Sequence, residues 1–504
     1  MLLEQLFEIS ADRTPAKVAL VTDRGRWSYG QLELAANRFA NHLRDNGIRR
    51  HARVVIKLEN GFESAAAILG TLKAGAVFVP VNATIKAEKL AYVLDDCSAD
   101  FLVSDAEARS LDEPALIARN EDGESSTSWP LSQVFGAGDG SRPPKQAIDV
   151  DLASLIYTSG STGVPKGVML THLSMLTALR SITSYLGMNE NDVVLNALPF
   201  SFDYGLYQFL MTTALGGTLV LHNSLHYPVR LLELAQKEGV TGLPITPTMA
   251  ALLLQIDLSR YRLPRLRYIT STAAAMPVEY IRKLREVYEH AALFSMYGLT
   301  ECKRACYLPP DQIDKRPGSV GKAIPNTEVY IVSEDGDRIT KPGVVGELVI
   351  RGAHVMSGYW NAPEETAQVL RPGPLPGERV LHTGDLFRCD EEGYLYWVGR
   401  RDDIIKSRGE KVSPREVEEV IAAMPGVAAV VVVGEPDPVL GSAIKACVVP
   451  AEGADLTPTA VMRYCASRLE DFMIPKIVQI TTEMPILGNG KVDRRQLCSL
   501  GDSK

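Results

Sequence analysis

Apolar and polar positions along residues 1–120 alternate between a helical period and a strand period. Residues 32–43 place apolar side chains at helical spacing, and 53–57 is a short β-branched run that predicts a strand. The pattern repeats once more, with a helix predicted over 62–72 and a strand over 76–81. Strands separated by helices of this length predict a mainly parallel sheet covered on both faces.

The alternation resumes beyond residue 150 and then changes character. Residues 120–147 are rich in Ser, Gly, Pro and Asp, and they are expected to form a surface connection. From about residue 318, glycine- and valine-rich strands between turns predict a small antiparallel β subdomain. The predicted fold class is therefore α/β, with a large N-terminal domain of mainly parallel sheets covered by helices, this β subdomain, and then a small α+β C-terminal domain.

A compact charged turn, Gly399-Arg-Arg-Asp402, separates the β-rich region from a tail of mixed strand and helix pattern. A chain that changes character at one Gly-flanked polar turn is a candidate for a hinge between domains. We predict an N-terminal domain over 1–398, a hinge over 399–402 and a mobile C-terminal domain over 403–504.

Composition and charge narrow the classes of function. The net charge is −8 over 504 residues, which gives no basic footprint for nucleic acid or anionic membranes. The first nine residues are amphipathic and carry two glutamates, unlike a signal peptide, and the longest apolar run, 427–433, is too short to span a bilayer. Seven scattered cysteines without a Cys-x-x-Cys pair favour reduced thiols. We expect a cytoplasmic protein that neither binds nucleic acid nor inserts into membranes.

A loop rich in hydroxyls and glycines follows the apolar run 152–156. It reads Tyr157-Thr-Ser-Gly-Ser-Thr-Gly-Val-Pro-Lys-Gly167. Glycines let backbone N–H groups turn inward around phosphate oxygens, hydroxyls add neutral donors, and Lys166 adds a positive charge. A P-loop needs Gly before its lysine and Ser or Thr after it, whereas Pro165 and Gly167 flank this one. The P-loop interpretation therefore fails, and the residues alone leave open a Ser/Gly-rich surface turn or a phosphate-binding loop of another kind.

Further motifs follow in a fixed order, and with the loop they resemble those of the adenylate-forming (AMP-binding) superfamily. This superfamily contains acyl-CoA and aryl-CoA ligases, firefly-type luciferases and the adenylation domains of nonribosomal peptide synthetases. The similarity covers nearly the whole chain. Its later motifs are Tyr297-Gly-Leu-Thr-Glu301, His382-Thr-Gly-Asp-Leu386, the 399–402 turn and Gly488-Asn-Gly-Lys-Val-Asp-Arg494.

The resemblance implies a role for each matching position. Mg²⁺ would be held by Glu301, the hinge pivot would be Asp402, and Gly409 would line the tunnel for a phosphopantetheine arm. The residues implied in catalysis are Lys491, Glu301, Lys166 and Thr300. Those implied in ATP and AMP binding are Thr158, Ser159, Gly160, Ser161, Thr162, Gly163, Ala273, Ala274, Tyr297, Gly298, Asp385 and Arg400.

The implied reaction has two halves that use ATP and then a thiol. A carboxylate attacks the α-phosphate of ATP, and a thiol then converts the acyl-adenylate to a thioester. Lys491 is expected to stabilise charge in the first half, so the C-terminal domain would rotate about Asp402 before the second. No carrier-protein segment follows residue 494, so the acceptor, CoA or the phosphopantetheine of a separate carrier protein, is expected to come from solution.

The acid itself stays open at this level. The substrate pocket is implied to contain Phe202, Asp203, Tyr204, Tyr207 and Met296. In amino-acid-activating relatives an Asp directly after a Phe binds the substrate ammonium, which favours an amino acid. The basic pair 303–304 favours instead an anionic group on the substrate, or an internal partner for Asp203 that leaves an uncharged acid.

Two other classes of function are compatible with the same scaffold. One is luciferase-like oxidative use of the adenylate, for which no sequence feature speaks. The other is a non-catalytic nucleotide-binding protein, which would be expected to have lost Lys491, Glu301 or Asp385, although all three are present. An acid–thiol ligase therefore remains the favoured function.

Overall fold

The computed structural model describes residues 1–105, 113–120, 123–159, 165–223, 227–274, 276–401, 403–407, 410–437, 441–485, 492–493 and 497. None of the described helices is long and apolar enough to cross a membrane.

The N-terminal part of the chain alternates helices and strands as far as residue 171. Its elements are α1 (Leu3–Arg13), β1 (Val18–Thr22), β2 (Gly25–Ser28), α2 (Tyr29–Asp45), β3 (Arg53–Lys57), α3 (Phe62–Lys73), β4 (Val77–Val81), α4 (Ala87–Asp96), β5 (Phe101–Ser104), β6 (Ala115–Arg119), β7 (Ser125–Pro130), α5 (Leu131–Gly136), β8 (Leu152–Ser159) and β9 (Pro165–Thr171).

A second α/β set follows. Its elements are α6 (His172–Leu186), β10 (Val193–Asn196), α7 (Asp203–Leu215), β11 (Thr218–Leu221), α8 (Pro228–Glu238), β12 (Gly242–Ile245), α9 (Pro247–Leu253), β13 (Tyr268–Ser271), α10 (Val278–Val287), β14 (Ala292–Tyr297), β15 (Cys306–Tyr307) and β16 (Lys322–Ala323).

The remaining elements form the β-rich region and the tail. They are β17 (Glu328–Val332), β18 (Arg338–Ile339), β19 (Gly346–Arg351), β20 (Gly358–Tyr359), α11 (Pro363–Val369), β21 (Leu370–Pro372), β22 (Arg379–Cys389), β23 (Leu395–Arg400), β24 (Ile405–Ser407), β25 (Glu410–Val412), α12 (Pro414–Ala422), β26 (Val427–Asp437), β27 (Gly441–Pro450), α13 (Pro458–Ala466) and β28 (Ile477–Ile480).

Two large sheets have parallel centres and antiparallel edges. One follows the order β16-β15-β14-β13-β12-β10-β11-β1-β2, and all pairs from β14 to β1 are parallel. The other follows the order β20-β9-β8-β4-β3-β5-β6-β7, with β8, β4, β3 and β5 parallel. Ligands of open α/β sheets bind beyond the carboxyl ends of the parallel strands. Because β13 and β14 are parallel neighbours, the segments that follow them lie at this same edge.

The β subdomain and the tail each have their own sheet. The subdomain is antiparallel in the order β18-β17-β19-β22-β21, and β23 pairs with β22. In the tail, strands β24–β27 pair antiparallel and β28 joins β27 in parallel. The main hydrophobic core draws on residues from Leu3 to Leu395, whereas a separate core lies among residues between Ile405 and Val478.

The surface connection expected over 120–147 is wrong in part. Residues 125–130 form strand β7, which pairs with β6, and α5 follows directly. Leu131 and Val134 are buried in the main core, and Trp129 stacks edge-on with His42 of α2. Three or four apolar side chains are enough to hold this segment onto the sheet edge, although its composition is that of a loop.

Candidate active site

The ends of β14 and β23 and the middle of β22 bring three predicted nucleotide-binding residues together. The Tyr297 hydroxyl donates a 2.5 Å hydrogen bond to the Asp385 carboxylate. Arg400, which lies opposite Asp385 in the β22–β23 ladder, places its Nε 3.4 Å from the other carboxylate oxygen. Burial raises the pKa of Asp385, and the Arg400 charge and the Tyr297 hydroxyl oppose this rise. A carboxylate with two acceptor oxygens in this position can bind a cis-diol.

A buried glutamate that the sequence did not single out holds the turn before Asp385. Glu347 of β19 accepts hydrogen bonds from the Gly384 amide at 2.9 Å and from Arg401 at 2.9 Å, and His382 Nδ1 lies 3.1 Å away. Burial by itself would raise the pKa of Glu347, but these partners outweigh it and lower the pKa to about 2. The carboxylate therefore stays ionised and fixes the backbone on which Asp385 sits.

A tyrosine that the sequence did not indicate holds the predicted metal ligand. Tyr359 of β20 donates a 2.7 Å hydrogen bond to Glu301 Oε1. Lys166 Nζ lies 5.6 Å from the centre of the same ring and 3.9 Å from Glu365. Strand β20 pairs with β9, the strand that contains Lys166. Tyr359 therefore links this strand to the carboxylate of Glu301.

The donor chemistry at Glu301 fits Mg²⁺. In proteins this ion is usually bound by one or two carboxylates together with substrate phosphate oxygens and water. Among the described residues Glu301 forms no ion pair within 4 Å, and its nearest recorded partner is the neutral Tyr359 hydroxyl. Its carboxylate is thus available for a cation brought in with a triphosphate.

The segment after β13 turns sharply where an adenine contact was predicted. Ala273 has a φ of +81°, a left-handed conformation that side chains with a Cβ rarely adopt. Its neighbour Ala274 is exposed. The buried hydroxyls of Ser271 and Thr272 have no hydrogen-bond partner in the described structure. Buried hydroxyls are normally satisfied, so this turn has the character of a binding surface.

The residues after Glu301 fold back tightly against β14. A Cβ at Gly298 would lie 2.2 Å from the carbonyl oxygen of Lys303, so only glycine fits there. Lys303 has a φ of +66°, and its Nζ donates to the Thr300 carbonyl at 3.1 Å. This geometry turns the side chains of Lys303 and Arg304 into the protein, where they are only 2% and 3% exposed.

The predicted acid pocket contains charges of both signs. Asp203, 8% exposed, is the first residue of α7, where the helix dipole favours a carboxylate. Burial lowers the pKa of Lys303 to about 8, while the negative charge of Asp203 opposes that shift. Lys303 Nζ lies 5.8 Å from the centre of the Tyr207 ring. No ion pair within 4 Å joins Asp203 to Arg304 in the described structure, so the alternative in which those two residues form a salt bridge finds no support here.

Aromatic side chains form the rest of this region. Tyr204 donates to the Thr270 carbonyl at 2.8 Å, and Phe202 lies edge-on to Tyr204. Met296 accepts a hydrogen bond from the Tyr185 hydroxyl, with 3.0 Å between oxygen and sulfur. The pocket residues predicted from sequence therefore cluster at the start of α7 and the end of β14.

Several predicted site residues lie outside the described residues. They are Gly160, Ser161, Thr162, Gly163, Asp402, Gly409 and Lys491. Of the loop that precedes Lys166, the structure gives the β8–β9 hairpin, in which Thr158 lies opposite Lys166 and Ser159 opposite Pro165. The phosphate-binding, hinge, tunnel and lysine roles remain predictions.

Neither Tyr359 nor Glu347 had a signal in the sequence. Tyr359 acts on a residue 58 positions away and Glu347 on one 37 positions away. Only a predicted strand pairing could have suggested that either side chain reaches the site.

Comparisons with known proteins agree on one family. A family model described as AMP-binding enzyme matches residues 7–360, and one described as AMP-binding enzyme C-terminal domain matches residues 416–491. The long-chain-fatty-acid–CoA ligase of Bacillus subtilis (strain 168) is 30% identical over 532 residues, which cover 98% of this chain and 94% of the ligase.

Tyrocidine synthase 3 of Brevibacillus parabrevis is 33% identical over 501 residues, which cover 98% of this chain. The chain spans only 8% of that synthase. Among solved structures, the chain superposes on o-succinylbenzoate CoA synthetase (MenE) from Bacillus subtilis, in complex with an acyl-adenylate intermediate, with a TM-score of 0.85. The two sequences are 28% identical, and the match covers 99% of this chain and 98% of the synthetase. The resemblance and the α/β fold class predicted from sequence are confirmed by these matches.

Proposed function

The chain belongs to the family of AMP-binding enzymes, and from this premise we propose that it is an ATP-dependent, AMP-forming carboxylic acid–thiol ligase. The observation that carries the proposal is the convergence of Tyr297, Asp385 and Arg400 near Glu301, beyond the carboxyl end of the parallel strand β14. A buried diol-binding carboxylate next to a metal-binding one suits a nucleoside triphosphate.

In the first half-reaction a substrate carboxylate oxygen attacks the α-phosphorus of ATP. The bond between the α-phosphorus and its bridging oxygen breaks, pyrophosphate leaves, and an acyl-adenylate remains. Asp385 would accept hydrogen bonds from the ribose hydroxyls, and the Tyr297 ring would lie along the adenine. Lys166 and Lys491 would supply positive charge where negative charge builds up on phosphate and carboxylate oxygens. Bound Mg²⁺, held by Glu301, would neutralise the triphosphate so that an anion can approach.

In the second half-reaction a thiol sulfur attacks the carbonyl carbon of the mixed anhydride. The thioester forms, AMP leaves, and the thiol proton goes to solvent. The acceptor class we propose is CoA or the phosphopantetheine arm of a separate carrier protein. Similarity to a CoA ligase over 94% of its length supports CoA, and similarity to a peptide synthase supports a carrier. Both thiols stay reduced in the cytoplasm, the compartment that we propose for the reaction.

ATP–pyrophosphate exchange across a panel of amino acids, aryl acids and fatty acids tests the first half-reaction. Acid-dependent exchange is expected with at least one class. Exchange with an amino acid would assign Asp203 to the substrate ammonium. Nucleotide binding without exchange for every class would instead favour the non-catalytic alternative.

Replacing Lys491 separates the chemical step from nucleotide binding. Lys491→Ala should lower adenylation by roughly 100-fold or more, because a positive charge at the developing anion is lost, while the affinity for ATP changes little. Lys341→Ala, at an exposed position, is the matched control and should leave both quantities unchanged. Adenylation at the wild-type rate in Lys491→Ala would remove Lys491 from the mechanism.

A further inference from the structure

Arg304 is a buried positive charge for which the described structure provides no negative partner. Its side chain is 3% exposed, and its Nε has no hydrogen-bond partner. Among the described parts of the chain, no ion pair within 4 Å involves its guanidinium. Burying a charge is costly unless it is paired, so an unpaired buried arginine implies an anion that arrives with a ligand.

The aromatic neighbours of Arg304 compensate its charge only weakly, because they are the neutral side chains of Tyr185, whose hydroxyl interacts with the Arg304 side chain, and Tyr204. The guanidinium carbon lies 5.1 Å from the centre of the Tyr204 ring, a cation–π distance. The Tyr204 hydroxyl donates to the Thr270 carbonyl of β13, and it carries no negative charge that could pair with the guanidinium. An aromatic face beside a guanidinium is an arrangement that also suits a planar carboxylate, which can accept two parallel N–H bonds.

The position of Arg304 separates it from the phosphate side of the site. Glu301 turns towards Tyr359 on β20, whereas Arg304 lies against Tyr204 on α7. The other charges of this region already have counterparts. Lys303 interacts with Asp203, and Glu301 is the predicted Mg²⁺ ligand. Arg304 is therefore the charge left for the far end of the substrate.

We propose that Arg304 binds a second carboxylate on the substrate, so that this ligase activates a dicarboxylic acid at the carboxyl group remote from Arg304. The inference rests on the proposed function, because it assigns the substrate class of the same site. It also bears on the amino-acid alternative. Since Lys303 already supplies a cation near Asp203, an ammonium group is not needed to balance that carboxylate.

Matched substrates test the role of the second charge. Pyrophosphate release would be measured with succinate, glutarate, adipate and phthalate, each against its monomethyl ester and against butyrate, pentanoate, hexanoate and benzoate. The ester keeps the size of the diacid and removes one charge. If Arg304 pairs with the second carboxylate in a buried site, kcat/KM for the best diacid should exceed that for its ester by roughly 10–100-fold.

Variants then locate the preference. Arg304→Met should reduce the diacid-to-ester ratio to about one by lowering the diacid rate and leaving the ester rate nearly unchanged. Arg304→Lys keeps the positive charge but lacks the planar guanidinium, so its diacid-to-ester ratio should lie between those of Arg304→Met and the wild type. Arg260→Met, at an exposed position, should keep the wild-type ratio. Unchanged ATP binding by each variant would show that the site is folded.

A measurement without any acid tests the unpaired charge itself. Replacing an uncompensated buried charge by an apolar side chain of similar volume should raise the melting temperature of Arg304→Met above that of the wild type. A lower melting temperature would mean that Arg304 is paired within the protein and would overturn the proposal.

Different results would contradict the dicarboxylate substrate and the ligase activity. A wild-type enzyme that prefers an ester, a monoacid or an amino acid, or an Arg304→Met variant that keeps the diacid preference, would overturn the dicarboxylate inference and leave the ligase standing. No pyrophosphate release with any acid would instead remove the proposed function itself.

Discussion

At the scale of single residues, the site depends on side chains that fix the positions of charged groups. Tyr297 and Arg400 both contact Asp385, and Tyr359 contacts Glu301. The sequence could predict Asp385 and Glu301, because their motifs are local runs of residues. It could not predict Tyr359, whose role depends on β20 pairing with β9 far away along the chain.

Removing the Tyr359 hydroxyl should weaken the hold on Glu301. A hydrogen bond to a charged group contributes about 1.5–3 kcal/mol, so Tyr359→Phe should lower kcat/KM for adenylation by roughly 10–100-fold. The Mg²⁺ concentration that gives half-maximal rate should rise, which a purely structural role would not cause. Pyrophosphate exchange measured over a Mg²⁺ series checks both effects.

The matched control is Tyr330→Phe in the β subdomain, where no hydrogen bond of the hydroxyl is recorded in the described structure. It should leave the Mg²⁺ dependence unchanged. A wild-type Mg²⁺ dependence in Tyr359→Phe would show that Tyr359 does not position the metal ligand.

The left-handed backbone at Ala273 should cost stability. A non-glycine residue in this conformation is strained by about 1 kcal/mol, so Ala273→Gly should raise the free energy of unfolding by roughly that amount. Ala274 does not share the positive φ, and Ala274→Gly should lower the free energy of unfolding by roughly 0.5–1 kcal/mol. Urea unfolding of both variants checks the opposite signs, and destabilisation by Ala273→Gly would refute the strain.

At the scale of elements, most helices and strands could be predicted, since their periodicity is strong. Strand β3 has the predicted ends, and α3 differs by one residue. Helix α7 begins at Asp203, and a Cβ at Gly205 would lie 2.4 Å from the Pro199 carbonyl oxygen, so this close approach requires glycine. Strand β7 was missed because a Ser-rich edge strand looks like a loop in sequence.

The contact between β19 and the turn at the middle of β22 should make stability depend on pH. Glu347 has a pKa of about 2 in the folded protein, below the ordinary value of 4.5. A lowered folded pKa contributes stability that is fully present above the unfolded pKa and is lost as the pH falls through the folded pKa. Glu347→Gln should therefore lower the free energy of unfolding by roughly 2–3 kcal/mol at neutral pH.

The destabilisation by Glu347→Gln should shrink between about pH 5 and pH 2, where the unfolded carboxylate and then the folded one become protonated. Denaturant unfolding of wild type and variant over this range measures the difference. A difference that does not change with pH would mean that the ionised form of Glu347 contributes nothing.

At the scale of the whole molecule, motif order was the most informative signal, since each motif alone occurs widely. The large domain and the tail each have a hydrophobic core, as a rotating tail would require. In the arrangement seen here Ser413 donates to the Val398 carbonyl and Tyr280 to the Ala428 carbonyl. The sequence does not reveal such contacts, because they depend on how the tail packs against the rest of the chain.

The measurement that tests the central claim most directly follows every product of one complete reaction. Enzyme, ATP, Mg²⁺, CoA and the best acid from the exchange panel would be incubated, and nucleotides and thioester quantified together. An acid–thiol ligase of this family should form AMP, pyrophosphate and thioester in equal amounts, and only when the acid is present. ADP with phosphate as products, or ATP consumption that does not depend on the acid, would contradict the assignment.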